Sequence, residues 1–394
     1  MNSAFVSARP APAAQQPDRL QWRSGLLRRN RRFVGVLAFG LLALPLIVGI
    51  IKPDNPDLIL KEGRRLAPAP NPPATFEDWR ALPGETDAYL KDRFGLRQKM
   101  IRLHKDLTRP LVPEGDPKVL VGRTGRMFLK LDGMVLQSAG LLVRDKSVSD
   151  TADLLAAMRD TLARGGVKFL VAIPPNSATV YPDELPIWAR SNGRTTEYDL
   201  LLEDLAAHGV KAVDLRPVMS AARSSGGAYY LHDTHWTPRG AIAGFNAIVD
   251  ADSHPDWRVD AQSALGPMTR KEGGDLAWLL GVQNDVVEES EPLALPKAAE
   301  IEQLSEGPSP VLPDRAYRSA KPGPTIMVIG DSFTNDEFPW MLLPHVGRVV
   351  WLHHRWCGFD WKWIKVFHPD EVWWMPTERF LVCHAGARPA DFEG

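Results

Sequence analysis

The sequence predicts an α/β protein: a largely parallel sheet flanked by helices, preceded by one N-terminal transmembrane helix. Three observations predict it. Apolar runs of strand length alternate with stretches of helical spacing from about residue 150, the order that builds parallel sheets. The run Thr325-Ile-Met-Val-Ile329 reads as a buried strand that ends in the tight turn Gly330-Asp-Ser332. Phe33 to Ile51 is nineteen residues without a charge, a length that just spans a hydrocarbon core as a helix.

Residues 1–32 hold seven arginines against the single acid Asp18. Such a basic flank stays in the cytoplasm, which places residues after Lys52 on the far side of a membrane. Pro45 inside the apolar run is better tolerated in lipid than in water. A cleavable signal peptide is the rival reading. The run is longer than a usual signal core, and the nearest small-x-small site, Ala67-Pro-Ala69, lies far downstream, so an uncleaved anchor over 33–51 is favoured. Residues 52–75, rich in proline and charge, read as a semi-extended tether.

The domain is expected over 76–394. Residues 76–108 carry helical spacing through Leu90, Phe94, Leu96, Met100, Ile101, Leu103 and Leu107, with an early turn at Pro83-Gly84, and are expected to pack over the sheet. Then come a helix over 150–164, a strand over 167–173, a helix over 195–208 and a strand over 210–215. Thr237 to Ala251 resumes helical spacing, with Pro238 suited to a helix start. Residues 252–323 lack clear periodicity and read as a long insertion before the strand at 325, either shaping a site or making a surface excursion.

Lys and Arg number 47 and Asp and Glu 48 in 394 residues, a net charge of −1, with no basic excess outside the N-terminus. Phosphate binding needs a clustered excess of Lys and Arg, so nucleic acid is excluded as a partner. Cys357 and Cys383 fit an exported chain, as one disulfide or as two buried thiols.

The chemistry is carried by Tyr230-Leu-His-Asp233-Thr-His235-Trp236 and Gly330-Asp-Ser332-Phe333. A serine hydroxyl is a weak nucleophile at neutral pH. A histidine must take its proton, and a carboxylate must hold that histidine in one tautomer. Asp233 and His235 are two apart, which in an extended segment puts both side chains on one side. Ser332 follows a strand, where open α/β sheets place their sites. The order Asp, His, Ser is no objection, since this geometry recurs in unrelated chain orders. Asp233 and His235 with His232 could instead begin a metal site, but the dense pair His353-His354 is the only other cluster, and no metal is expected.

The chain resembles the SGNH-hydrolase-like O-acetyltransferases of exopolysaccharide export, the group typified by the periplasmic alginate O-acetyltransferases. The resemblance rests on ordered blocks spanning about residues 80–385: Val121-Gly-Arg-Thr-Gly-Arg-Met-Phe-Leu129, Phe169 to Ser177 with Tyr181-Pro-Asp-Glu-Leu-Pro186, Asp233-Thr-His-Trp236, Gly330-Asp-Ser-Phe333, and Pro369 to Arg379. It implies an SGNH-like sheet in a permuted chain order, with Ser332, His235 and Asp233 as catalytic residues. Asn176 and Asn335 are then oxyanion candidates beside the backbone N–H of Ser332. Relatives often have Lys at Asn176 and Trp at Arg126, which leaves the role of the 174–177 loop open.

Seven of the thirteen tryptophans fall between Trp340 and Trp374. Aromatic faces stack on sugar rings but also fill cores; Trp351 and Trp373 lie in expected strands, whereas Trp356, Trp361 and Trp363, with Arg355, are candidates for glycan contact. The resemblance implies transfer of an acetyl group through an acetyl-serine onto a secreted polysaccharide. It also implies an acetyl donor delivered by a multi-spanning acyltransferase of the bacterial inner membrane, with the domain in the periplasm and no cofactor. An acetyl esterase using the same triad, or a glycan-binding subunit with idle catalytic residues, are the alternatives.

Overall fold

The computed structural model describes residues 31–51, 67–92, 116–225, 227–309 and 311–393. The chain divides into two compact units; the helices Arg31–Ile51 and Phe76–Asp92 fall in the first, and everything described from residue 116 onward falls in the second. Residues 1–30 of the basic tail, residues 52–66 of the tether and residues 93–108 of the expected helical stretch lie outside the described residues.

The apolar run expected to be an anchor forms the helix Arg31–Ile51. Several of its side chains lie outside the described set. Among the described residues, no helix is long and apolar enough to cross a membrane. The helix Phe76–Asp92 runs straight through Pro83, where a turn is expected from the sequence. Proline in a helix forfeits one i→i−4 hydrogen bond, and here that loss does not end the helix.

The second unit is built on a seven-stranded sheet in the order β4-β3-β11-β9-β10-β8-β7. Its strands are β3 (Lys168–Ile173), β4 (Ala212–Asp214), β7 (Glu300–Ser305), β8 (Asp314–Arg318), β9 (Thr325–Gly330), β10 (Arg348–His353) and β11 (Glu371–Met375). β4, β3, β11, β9 and β10 pair in parallel, and β8 and β7 add an antiparallel edge.

Because side chains alternate across a strand, each central strand feeds two cores. Leu170, Ala172, Ile326, Val328, Val349, Trp351, Trp373 and Met375 face the helices Arg216–Ala222, Pro238–Ala251 and Phe338–Leu342. Val171, Ile173, Met327, Ile329, Val350, Leu352, Val372 and Trp374 face Asp145–Arg164 and Glu197–Ala207. Fully burying one such side chain is worth roughly 1.5–3 kcal/mol.

Residues 252–323 are more ordered than their sequence suggests. They hold β7 and β8, and a separate hairpin of β5 (Thr269–Glu272) and β6 (Val287–Ser290) that encloses the short helix Asp275–Leu280. These strands escape notice because β5 is Thr-Arg-Lys-Glu and β7, Glu-Ile-Glu-Gln-Leu-Ser, holds only two apolar residues along an exposed edge. Charged edge strands resist pairing with other chains, and they carry little hydrophobic periodicity. A second small hairpin, β1 (Val119–Val121) with β2 (Met127–Leu129), packs Val119 and Met127 against Leu276 and Ala277 of that short helix. The two cysteines form a disulfide, Cys357–Cys383.

Candidate active site

Ser332 stands in the turn at the carboxyl end of β9, the middle strand of the seven, which pairs in parallel with β11 and β10. The neighbouring ends supply the rest of the surroundings: Asn176 follows β3, His354 follows β10, and Thr377 to Arg379 follow β11. This is the edge at which open parallel sheets bind their ligands.

Asp331 fixes the turn. It is buried, and its two carboxylate oxygens accept the N–H of Phe333 at 3.0 Å, the N–H of Thr377 at 3.0 Å and the hydroxyl of Thr377 at 2.7 Å. Its burial would raise its pKa, but the charge of Arg379 and these hydrogen bonds hold it below its ordinary value. The N–H of Ser332 itself donates to none of the described groups.

His235 arrives from a different part of the chain, held by its flanks. Trp236 stacks on Phe338 at 5.7 Å and donates from its indole to the carbonyl of Phe333 at 3.0 Å. Thr237 caps the helix Pro238–Ala251 through the N–H of Gly240. The imidazole therefore reaches Ser332: Nε2 lies 2.7 Å from the serine Oγ, and Nδ1 lies 2.6 Å from Oδ1 of Asp233. Nδ1–H donates to the carboxylate, leaving Nε2 to accept the serine proton, the arrangement a nucleophilic serine requires.

Burial by itself would lower the pKa of His235. The charge of Asp233 and the hydrogen bond to it outweigh burial and push it up to about 9. Burial would raise Asp233, yet the charge and hydrogen bond of His235, with Lys271 behind them, hold it far below the usual carboxylate range. Nearby, burial and the adjacent Asp336 push Glu337 up to about 7.

The long insertion encloses this Asp-x-His block. Lys271 of β5 donates to Oδ2 of Asp233 at 3.1 Å and lies over the ring of Tyr230 at 3.4 Å. Asp275 accepts the N–H and hydroxyl of Thr234, and Glu288 of β6 accepts the N–H groups of Leu231 and His232. A side chain at Gly274 would collide with Asp233. From the other side, Arg126 donates to the carbonyls of Tyr229 and Tyr230, and Met127 N–H to that of Leu231. Sequence reading missed Lys271, Asp275 and Glu288. Their signal is faint, because charged residues in an aperiodic stretch look like solvated surface.

The structure brings Asp233, His235 and Ser332 together and sorts the other candidates. Asn176 uses an amide proton on Ser138 at 3.2 Å, and the buried Oδ1 of Asn335 has no partner among the described residues. Trp361 is buried against Phe359 and Phe392, so it offers no face to a glycan. Trp363 packs on Phe367, part-buried on the helix Lys362–Phe367. Trp356 is half-buried, stacked on His384 and edge-on to Phe380. Arg355 is not available to an acidic sugar: it binds Asp314 of β8 at 2.7 Å and Ser305 at 2.7 Å. Burial pushes His353 down to about 4 and His354 to about 3, and each spends Nδ1 on a backbone N–H. They are neutral core histidines.

Residues 119–373 match the family described as SGNH hydrolase-like domain, acetyltransferase AlgX. Among curated proteins, the chain is 26% identical over 155 residues to the probable alginate O-acetylase AlgJ of Azotobacter vinelandii, covering 39% of each chain. It is 30% identical over 143 residues to that of Pseudomonas putida, covering 36% of each. The chain thus matches under two-fifths of the length of these relatives. Among solved structures it is similar to the O-acetyltransferase domain of Pseudomonas putida AlgJ, with 21% identity, a TM-score of 0.46, and coverage of 68% of this chain and 92% of that one. With the matched segment spanning most of the sheet and all three residues of the hydrogen-bonded Asp-His-Ser chain, this protein belongs to the SGNH hydrolase-like acetyltransferase family of AlgX.

Proposed function

We propose that this protein is a serine-dependent O-acetyltransferase that moves an acetyl group through acetyl-Ser332 onto hydroxyls of a secreted polysaccharide. The observation that carries the reading is the chain of two short hydrogen bonds, 2.6 and 2.7 Å, from Asp233 through His235 to Ser332. In the first half-reaction His235 Nε2 takes the Ser332 proton while Oγ attacks the acetyl carbonyl. The donor's leaving group then departs with that proton. In the second, His235 takes the proton of a sugar hydroxyl, the sugar oxygen attacks the acetyl carbon, and Ser332 Oγ leaves and regains its proton. Among the described residues the N–H of Ser332 donates to no protein group, and in this reading it serves the oxyanion, with Asn176 or Asn335 as a second donor. Family membership favours a sugar over water as acceptor.

The donor in this reading is a multi-spanning acyltransferase of the bacterial inner membrane. Residues 33–51 anchor the chain there, the basic tail remains in the cytoplasm, the tether over 52–75 spaces the catalytic unit from the bilayer, and that unit works in the periplasm. The basic flank, the uncharged run from Phe33 to Ile51 and the disulfide support this placement.

Intact-mass analysis of the full chain in detergent, after incubation with p-nitrophenyl acetate, tests the chemistry. One acetyl group is expected on the wild type and none on Ser332→Ala or His235→Ala. Loss of the label to added oligosaccharide faster than to water marks a transferase, and loss to water alone marks an esterase. A folded wild type that never labels overturns the reading.

A further inference from the structure

Asp252, His254 and Glu371 meet at the amino ends of the central strands, the edge of the sheet opposite Ser332. Asp252 caps the carboxyl end of the helix Pro238–Ala251, and Glu371 is the first residue of β11. Ser253 takes a left-handed φ of 65°, a conformation costly for a residue with a Cβ, and turns the chain between Asp252 and His254. One ligand atom from each of the three residues lies within 4.8 Å of the other two. Nε2 of His254 is 3.0 Å from Oε1 of Glu371.

The cluster is buried and its members are oriented. Asp252 and Glu371 are 6% and 5% exposed. The His254 ring stacks on Trp257 at 3.8 Å, and the indole N–H of Trp373 donates to Oδ2 of Asp252 at 3.3 Å. Oε2 of Glu371 is shielded from solvent and accepts from no donor among the described residues. A buried carboxylate oxygen left in that state keeps its whole desolvation penalty. Lys168 donates to the other oxygen of Glu371 at 2.8 Å, and Lys211 to Oδ1 of Asp252 at 3.1 Å. Their side chains are 62% and 48% exposed, so both can swing into water at little cost, because exposed ion pairs are weak.

We infer that these three residues form a zinc site, with Nε2 of His254 and one carboxylate oxygen each from Asp252 and Glu371 as ligands and water in the fourth position. One imidazole with two carboxylates suits Zn²⁺ better than Ca²⁺ or Mg²⁺, which prefer oxygen alone. A cation between the carboxylates supplies the partner that Oε2 lacks, and the two lysines give way to solvent. Trp257 and Trp373 orient two of the ligands, as groups around a metal site do. The ion joins the turn after the helix Pro238–Ala251 to the start of β11. Its role is to brace the sheet, and it takes no part in the chemistry at Ser332.

The test uses the untagged full chain in detergent, stripped with EDTA and titrated calorimetrically with zinc chloride alone. One ion per chain is expected to bind and to raise the melting temperature, as a ligand of the native state does. His254→Ala and Glu371→Gln should each weaken binding at least about a hundredfold, since loss of a mere outer partner costs roughly 10–100-fold. Replacing both Lys168 and Lys211 by Met should tighten it several-fold by removing the competing cations. These two changes lie on half-exposed side chains, so they keep the test decisive if Glu371→Gln fails to fold. Co²⁺ in place of Zn²⁺ should give the visible absorption of a tetrahedral site in the wild type and not in His254→Ala. No zinc uptake by the folded wild type overturns the inference and leaves a proton shared between the two carboxyls to satisfy Oε2. Binding that survives His254→Ala but is lost in His235→Ala overturns it too, and moves the ion to Asp233, His235 and Asp275.

Discussion

His235 is held by Asp233 strongly enough to be protonated at neutral pH in the resting protein, and only the neutral imidazole can take the serine proton. The rate of Ser332 acetylation by an activated ester is therefore expected to rise with pH through neutrality, to be half-maximal near pH 9 and to level off only above it, read by stopped-flow release of the leaving group. Lys271 shares Asp233 and so weakens the pull of that carboxylate on His235. Lys271→Met should move the rise to higher pH and slow acetylation at pH 7 by roughly tenfold, the size of a one-unit shift. An unchanged profile would reduce Lys271 to packing against Tyr230. Asp233→Asn leaves the shape but offers Nδ1 the wrong partner, and acetylation should fall by about 10³–10⁴-fold.

The β5–β6 hairpin is the element that makes the site rigid, because Lys271, Gly274, Asp275 and Glu288 all meet the segment from Leu231 to His235. Gly274 is required by contact rather than by turn geometry: any Cβ there runs into Asp233. Gly274→Ala is expected to reduce acetylation at least about a hundredfold, since displacing a catalytic group by an ångström has that effect. Its melting temperature should fall only modestly, because the cores on the two faces of the sheet are untouched. Activity near wild type would mean that the hairpin moves freely and does not position the triad.

On the scale of the whole unit, the disulfide ties the loop after β10 to the segment after β11, closing a separation of 26 residues around the strand ends that carry the site. Loop-closure entropy for that length is worth roughly 3–4 kcal/mol. Replacing both cysteines by alanine should lower the urea midpoint by the equivalent of about 3 kcal/mol, with an m-value equal or somewhat higher because the released unfolded chain expands; no shift would mean that restraint of the unfolded chain does not contribute to stability here. Much of this unit was legible in the sequence. Apolar periodicity places β3, β9 and the helices ending at Arg164, Ala207 and Ala251, because those elements bury one face or two and must repeat accordingly. Asp233, His235 and Ser332 stand out because catalysis needs those residue types. The antiparallel edge, the β5–β6 hairpin, the second partner of Asp233 and the ion pair that removes Arg355 from the site were not legible. Charged edge strands carry little period, and a salt bridge between residues 41 apart leaves no mark on either neighbourhood. Trp361 shows the same limit, since a tryptophan in a proline- and glycine-flanked segment reads alike whether it is packed or exposed. The sequence by itself determined the sheet's central strands and the three residues of the candidate triad, because burial and reactivity constrain residue type locally. Only the tertiary structure decided which charges are spent in pairs, as Arg355 is on Asp314 and Lys271 on Asp233, because pairing depends on distances that the fold alone sets.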